Sequence, residues 1–76
     1  MKVRVQVSLK PGVLDSQGRA VQHALDSLGF AGVRDVRVGR LIELDVDEGT
    51  SDADIERMCR SLLANGVIEN FRFERV

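Results

Sequence analysis

The sequence is poor in the residues that form disulfides and aromatic clusters. Its 76 residues include one cysteine, one proline, three phenylalanines, no tryptophan and no tyrosine. A single cysteine excludes an internal disulfide and fits a reduced, cytoplasmic setting. No apolar run approaches the ~20 residues of a membrane span, and the formal net charge of −1 offers no basic surface for nucleic acid or for a membrane. We therefore expect one small domain, residues 1–76, that is stabilised by association with itself or with a partner.

Residues suited to catalysis or metal binding are also scarce. His23 is the only histidine, and no nucleophile lies near it in the sequence. Cys59 falls in an apolar helical stripe, which is typical of a buried thiol and not of a reactive one. Asp45, Asp47 and Glu48 are close together but do not have the ligand spacing of a calcium loop. There is no glycine-rich phosphate loop followed by lysine. The sequence predicts no catalytic residue and no metal site, and it favours an interaction or regulatory module.

The first half of the chain predicts a strand followed by a helix. Alternation of apolar and polar residues from Lys2 to Leu9 indicates a half-buried strand, which Pro11 ends. Either Asp15 or Ser16 can cap the next helix, and Gly29 is its expected stop. The apolar stripe of this helix consists of Ala20, Val21, Ala24, Leu25 and Leu28.

Residues 36–46 allow two interpretations. Their apolar residues share one parity, which places them on one face of a sheet: Val36, Val38, Ile42, Leu44 and Val46. A hairpin with the three-residue loop Gly39-Arg40-Leu41 keeps this parity, and so does one long bent strand. A long strand would overhang a small monomer, and its free edge would favour pairing with another chain.

The last third of the chain predicts a second helix and a final strand. Ser51 and Asp54 approximate a capping box, and Asn65-Gly66 ends the helix. Its apolar stripe consists of Ile55, Met58, Cys59, Leu62 and Leu63. The resulting order, β-α-β-(β)-α-β, predicts an α+β two-layer sandwich with a ferredoxin-like outline. Its mostly antiparallel sheet would carry two amphipathic helices on one face.

Three segments in this order resemble the PurS family, the small subunits of phosphoribosylformylglycinamidine synthase. They are Leu14-Asp15-x-Gln17-Gly18, Val36-Arg37-x-Gly39-Arg40 and Leu63-Ala64-Asn65-x-Val67-Ile68-Glu69. The sequence departs from the family pattern at Ser16, where proline is usual, and at Arg40, where lysine is usual. Ser16 can still begin a helix, and Arg40 keeps the charge with a wider hydrogen-bonding fork.

The resemblance implies a non-catalytic subunit of an enzyme that makes formylglycinamidine ribonucleotide from formylglycinamide ribonucleotide, glutamine and ATP. Its implied partners are a glutaminase subunit, a large synthetase subunit and further copies of itself, as a dimer or a dimer of dimers. The chain would hold the two larger subunits together and support ammonia transfer between them. ATP, magnesium and glutamine would be used by the partners, and this chain would bind no cofactor.

Two exposed segments are the candidate subunit interface. We expect Leu14, Asp15, Gln17 and Gly18 to form a docking knob, with Leu14 as apolar anchor and Gly18 admitting a partner's backbone. The other explanation is a capped corner with Leu14 packed on the helix. The second candidate segment is Gly39, Arg40 and Leu41, in which Leu41 lies on the polar face and is stabilised there only if a partner covers it.

A different class of function also fits the predicted order of elements. Ligand-sensing regulatory domains of the ACT type share the βαββαβ arrangement, and Pro11-Gly12-Val13-Leu14 is similar to a run in their first loop. They do not account for the segment from Leu63 to Glu69. A thermal-shift screen against amino acids separates the two, because a sensor is stabilised by its ligand.

Overall fold

The computed structural model describes all residues from 1 to 76 and contains three strands and two main helices. In chain order these are β1 (Lys2–Leu9), α1 (Ser16–Ser27), β2 (Arg40–Asp45), α2 (Asp52–Met58) and β3 (Glu69–Arg75). A π-helical turn, Cys59–Leu63, continues α2. Neither α1 nor α2 is long and apolar enough to cross a membrane.

The sheet is antiparallel, and β1 lies in its centre. Its strand order is β2-β1-β3, and Val5 of β1 stands opposite Ile42 of β2 and Phe73 of β3. The alternation predicted for β1 is confirmed, because Val3, Val5 and Val7 are fully or almost fully buried while their neighbours are exposed. The predicted α+β class is also confirmed.

One helix covers the apolar face of the sheet. Ile55 of α2 and Cys59 of the π turn are completely buried against the three valines of β1, and Ala64 closes the cluster. Partly buried side chains of β2 and β3 surround it. The helix α1 contributes no residue to this core.

Local capping signals determine where the helices begin and end. The Asp15 carboxylate accepts a hydrogen bond from the backbone N–H of Gly18, so Asp15 is the N-cap of α1. Gly29 follows the last turn with φ +94°, a conformation that glycine adopts without a Cβ clash. Ser51 caps α2 by accepting from the N–H of Asp54. These predicted boundaries are confirmed.

The hairpin considered for residues 36–46 is not formed. Residues 33–39 run without a turn or a bend into β2, which begins at Arg40 and pairs with β1 alone. Val36 and Val38 therefore belong to no strand, and the continuous path matches the long-strand alternative in outline. The hairpin turn is excluded because Gly39 packs against the Val7 carbonyl and Arg40 already pairs with Val7 in the sheet.

Residues 10–39, here called the arm, project from the sheet. The apolar stripe of α1 stays open to solvent, with Val21 43% exposed and Leu28 74% exposed. The radius of gyration is 15.7 Å, whereas a compact chain of this length would have about 11 Å. The chain measures 50 × 25 × 14 Å along its principal axes. Amphipathicity thus predicted the helix and its apolar face, but in the single chain that face lacks a covering layer.

Candidate interface at a junction of three motifs

The three segments that carry the family resemblance meet in space. They form what we call the motif junction, consisting of Asp15, Gly18, Val38, Gly39, Arg40 and Glu69. Four of the seven predicted interface residues line a cleft of about 220 Å³ beside it: Asp15, Gln17, Gly39 and Arg40. Leu14 borders a neighbouring cleft of about 410 Å³, and Leu41 faces away on the other side of the sheet.

Asp15 joins the first motif to the second. Its Oδ1 accepts from the N–H of Gly18 at 2.8 Å, and its Oδ2 accepts from the N–H of Val38 at 2.6 Å. Only 6% of the residue is exposed. The N–H groups of Val38 and Gly18 stabilise the charged carboxylate and hold the pKa of Asp15 below its ordinary value. One side chain therefore caps α1 and also anchors to it the backbone of residues 36–38, here called the returning segment.

Gly18 is the point at which the returning segment comes closest to α1. A Cβ at this position would lie far inside the van der Waals distance of the Val36 carbonyl oxygen. The sequence suggested that Gly18 admits a partner's backbone, but the backbone that approaches it here is the chain's own. Glycine is required here by close packing within the arm.

Further hydrogen bonds connect residues 33–37 with α1 and with the loop that precedes it. The Arg37 guanidinium donates to the carbonyls of Val13 at 3.0 Å and Lys10 at 3.2 Å. The Gln22 amide donates to the carbonyls of Val33 and Arg34, the latter at 3.1 Å. The arm is thus held together by its own backbone and side chains, although it contributes nothing to the core of the sheet.

Arg40 joins the second motif to the third. Its guanidinium donates to both carboxylate oxygens of Glu69, at 2.7 and 3.1 Å, and to the Leu63 carbonyl at 2.6 Å. Glu69 also accepts from the N–H of Asn65 at 2.7 Å. Arg40 first, and the Asn65 N–H second, lower the pKa of Glu69. Within the chain Arg40 and Glu69 therefore form a planar, two-pronged pair, which a lysine could not reproduce.

The remaining predicted residues are the accessible ones. Leu14 is 66% exposed and Leu41 is 54% exposed, while Gln17 is also exposed. Leu14 does not pack on α1 as a hydrophobic staple, because the residue one turn ahead of it is the polar Arg19. Leu41 lies opposite Gln6 on the polar face of the sheet, as its parity predicted. The assignment of these residues to a subunit interface stays a prediction.

Sequence reasoning did not identify Glu69 and Val38 as members of the site. Glu69 lies in the third motif, but its partner Arg40 is 29 residues away and no local pattern connects them. Val38 takes part through its backbone N–H, which carries no sequence signal. The one local signal at Glu69 is an acidic residue at the start of a strand, three residues after the stop at Gly66.

The groups considered for chemistry lie away from the junction. His23 is exposed on α1. Cys59 is completely buried, as predicted, and burial raises the pKa of its thiol, which makes it a poor nucleophile. No group of three histidine, cysteine or acidic side chains is arranged to hold a metal ion.

A central strand flanked by two antiparallel strands, a helix covering one face and a junction of three motifs define a small α+β protein of the two-layer type. The PurS family model, described as "Phosphoribosylformylglycinamidine (FGAM) synthase", matches residues 2–76. The chain belongs to the PurS family. This match favours the PurS interpretation over an ACT-like sensor.

Individual relatives agree with the family match. The "Phosphoribosylformylglycinamidine synthase subunit PurS" of Bacillus subtilis is 52% identical over 75 residues, covering 96% of this chain and 89% of the relative. The crystal structure of B. subtilis PurS in the C2 form superposes with a TM-score of 0.86, covering 96% of this chain and 94% of that chain.

Two more distant structures share the fold. PurS of Methanocaldococcus jannaschii, described as a subunit of formylglycinamide ribonucleotide amidotransferase in the purine biosynthetic pathway, is 37% identical with a TM-score of 0.83, covering 96% of this chain and 92% of that chain. A chain in the structure of PurLQS from Thermotoga maritima is 23% identical with a TM-score of 0.84. The superposition covers 99% of this chain and 95% of that chain. At this identity the likeness shows only that the two chains share a fold.

Proposed function

We propose that this chain is the non-catalytic small subunit of phosphoribosylformylglycinamidine synthase, which bridges the glutaminase and synthetase subunits and supports ammonia transfer between them. In this proposal the chain works in the cytoplasm and self-associates, as a dimer or a dimer of dimers. ATP, magnesium and glutamine are bound by the partner subunits.

The observation that carries the proposal is the motif junction in a member of the PurS family. Side chains of all three motifs are used to hold one another: Asp15 binds the backbone beside Gly39, and Arg40 binds Glu69. The polar side chains of the junction are those of Asp15, Arg40 and Glu69, and they do not form a nucleophile–base pair. A rigid junction with accessible apolar residues beside it is suited to contact with another protein.

The solvent exposure and the hydrogen bonds of the seven predicted interface residues separate them into two groups with different roles. Leu14, Gln17 and Leu41 are accessible and would make direct contacts with a partner subunit. The others are engaged in the junction or confined by it and would fix the shape that the partner meets: Asp15, Gly18, Gly39 and Arg40. Arg40, although half exposed, has its donors directed at Glu69 and at the backbone.

The test is the synthesis of formylglycinamidine ribonucleotide by the glutaminase and synthetase subunits of the same source, with and without this chain. The glutamine-dependent and ammonia-dependent rates are measured side by side. We expect the chain to be needed for the glutamine-dependent rate and to have little effect on the ammonia-dependent rate. If neither rate depends on the chain, the proposal is wrong and the amino-acid screen for a sensor becomes the next experiment.

Matched variants test the interface residues. Leu14→Ala and Leu41→Ala remove exposed side chains and should weaken assembly while leaving the fold intact. Val67→Ala is the control, because Val67 is 83% exposed and lies outside the predicted interface residues. Assembly is measured by co-sedimentation of the three subunits. Equal assembly with all three variants would remove Leu14 and Leu41 from the interface.

A further inference from the structure

Arginines without an acidic partner are concentrated in the cleft that Leu14 borders. This cleft, here called the arginine cleft, has a volume of about 410 Å³ and lies between the start of α1, the loop before it and residues 34–37. The basic side chains that form ion pairs are all elsewhere: Arg4, Arg40, Arg57, Arg60 and Arg75. Three of the remaining ones line this single cleft, namely Arg19, Arg34 and Arg37.

Hydrogen bonds within the arm fix the two sides of the arginine cleft. The Arg37 guanidinium donates to two backbone carbonyls of the loop before α1. These acceptors are neutral, so they orient the guanidinium without cancelling its charge. On the other side the Gln22 amide donates to the Arg34 carbonyl at 3.1 Å. Gln22 lies one helical turn after Arg19, and this bond therefore keeps the backbone of Arg34 beside the part of α1 that carries Arg19.

Two guanidinium groups of the arginine cleft are free to bind a ligand. Arg19 and Arg34 are both exposed, and neither guanidinium takes part in an ion pair or a hydrogen bond within the chain. A guanidinium has five N–H donors in a planar fork that matches the two oxygens of a carboxylate. The cleft thus offers two such forks above the fixed positive charge of Arg37.

The charges of the arginine cleft do not cancel. Its two carboxylates are those of Asp15 and Asp35. Both oxygens of Asp15 accept backbone N–H groups of the motif junction, whereas Asp35 is exposed and pairs with no basic side chain. Three arginines against two carboxylates leave a net charge of +1, in a protein whose formal net charge is −1. The cleft therefore attracts an anion with about one unit of charge.

Charge and shape favour a carboxylate on a protein over a free phosphate. A net charge of +1 balances one carboxylate, whereas a phosphate group carries about −1.5 to −2 at neutral pH and is repelled more strongly by Asp35. Leu14 on the rim is 66% exposed, and a small anion would leave it in water. A polypeptide can place a carboxylate in the cleft and an apolar side chain against Leu14 at the same time.

The arginine cleft and the apolar stripe lie on opposite sides of α1. Leu28 follows Arg19 by about two and a half helical turns and therefore points the opposite way. Val21, by the same spacing, is about half a turn from Arg19. A segment bound in the cleft thus leaves the stripe accessible for another contact.

We propose that the arginine cleft binds an acidic segment of one of the two larger subunits, with a carboxylate held by Arg19 and Arg34 and an apolar side chain packed on Leu14. This inference rests on the proposed function and deepens it, because it names the chemistry of the partner at the Leu14 side of the candidate interface. Asp35 limits the charge that the cleft accepts and so selects against more acidic segments.

The test measures the dissociation constant of the chain with each larger subunit separately, by sedimentation velocity. Arg19→Gln and Arg34→Gln remove the free guanidinium groups, and the corresponding lysine variants keep the charge without the fork. Asp35→Asn removes the opposing charge. Arg57→Gln is the control, because this side chain is 78% exposed and lies on α2, outside the cleft. Far-UV circular dichroism checks that each variant is folded.

The variants should change the affinity for one larger subunit in opposite directions. Each glutamine variant should raise the dissociation constant roughly tenfold or more, because a charge-assisted hydrogen bond is lost, and each lysine variant should raise it less. Asp35→Asn should lower it by about twofold or more, and Arg57→Gln should leave it unchanged. The loss in the glutamine variants should be smaller at ~0.5 M than at ~0.1 M salt, because added ions screen the charges.

Several results would overturn this inference. Equal affinity of the unmodified chain and both glutamine variants would remove the cleft from the interface and leave the proposed function intact. Weaker or unchanged binding by Asp35→Asn would contradict the charge argument. If neither larger subunit binds the unmodified chain, the proposed function and the inference fall together.

Two further measurements on the chain alone detect other occupants of the cleft. Inorganic phosphate at about 10 mM would raise the Tm of the unmodified chain but not that of Arg34→Gln if the cleft held a free anion. A change in the self-associated mass in Arg19→Gln or Arg34→Gln would show that a second copy occupies the cleft. Either result, with unchanged affinity for the larger subunits, would refute the docking of an acidic segment there.

Discussion

Replacing Gly18 by alanine tests the packing of the motif junction directly. The added Cβ would clash with the carbonyl oxygen of Val36, a backbone atom that cannot rotate away. Either α1 or the returning segment must move. In both cases the hydrogen bond from the Val38 N–H to Asp15, now 2.6 Å, is stretched or broken.

The expected loss of stability follows from two costs and one gain. Overpacking costs about 1–3 kcal/mol, and a partly buried N–H left without an acceptor costs a further ~1–3 kcal/mol. Alanine recovers up to ~1 kcal/mol because it is the better helix former. The free energy of unfolding should therefore fall by about 1–6 kcal/mol, a substantial share of the ~4–11 kcal/mol typical of a chain of this length.

Urea unfolding followed by far-UV circular dichroism is the appropriate assay, because the chain has no tryptophan or tyrosine to report by fluorescence. With a denaturant dependence of about 1 kcal/mol per molar urea, the midpoint should fall by ~1 M or more. Gly32→Ala is the matched control, since nothing lies within 4 Å of a Cβ there. All chains are compared at one concentration, because the midpoint of a self-associating chain depends on its concentration. If Gly18→Ala and Gly32→Ala unfold at the same midpoint, the explanation of Gly18 is refuted.

Three other perturbations have definite expected outcomes. Asp15 and Glu69 have lowered pKa values, from ordinary values of 3.8 and 4.5, so the stability they contribute is complete above those values and is lost as the pH falls through the lower folded values. Urea midpoints should be constant between pH about 7 and 5 and should fall below pH ~4, less steeply in Asp15→Asn. Arg40→Lys should lower the midpoint by less than Gly18→Ala does, because a lysine keeps the charge but loses the second prong to Glu69; an unchanged midpoint would contradict the importance of the pair. Cys59 should react with a thiol reagent on the order of a thousandfold more slowly in buffer than in urea, and rapid labelling of the folded chain would show that its burial is wrong.

Local sequence signals predict the individual helices and strands of this fold, but they do not predict how those helices and strands pack together. The alternation of β1, the caps at Asp15 and Ser51 and the stop at Gly29 each depend on residues within a few positions of one another, so the sequence predicts them well. Whether Val36 and Val38 turn back or run on depends on a bond from Asp15, more than 20 residues earlier. A parity rule states which face a residue occupies, but it does not say which strand, or which chain, lies beside it.

The candidate site shows the same division. Leu14 and Leu41 were singled out as apolar residues in polar surroundings, and both are exposed. Gly18 was recognised as unusual, and the backbone of Val36 lies beside it in the same chain. A glycine reports a close approach without identifying what approaches, so a contact of Gly18 with a partner subunit stays a prediction. The pairing of Arg40 with Glu69 depends on the antiparallel sheet that brings β2 and β3 to either side of β1, and no spacing in the sequence encodes it.

The central position of β1 also governs how the chain folds. The first strand of the sheet in chain order needs partners on both sides, and they come later in the chain, from residues 40–45 and 69–75. Such distant pairings close long loops, so this small protein should fold in milliseconds or slower, and not on the microsecond scale of helical domains. Until then both edges of an apolar strand are open to other nascent chains. Lys2 and Arg4 on its opposite face are well placed to discourage that association by charge repulsion.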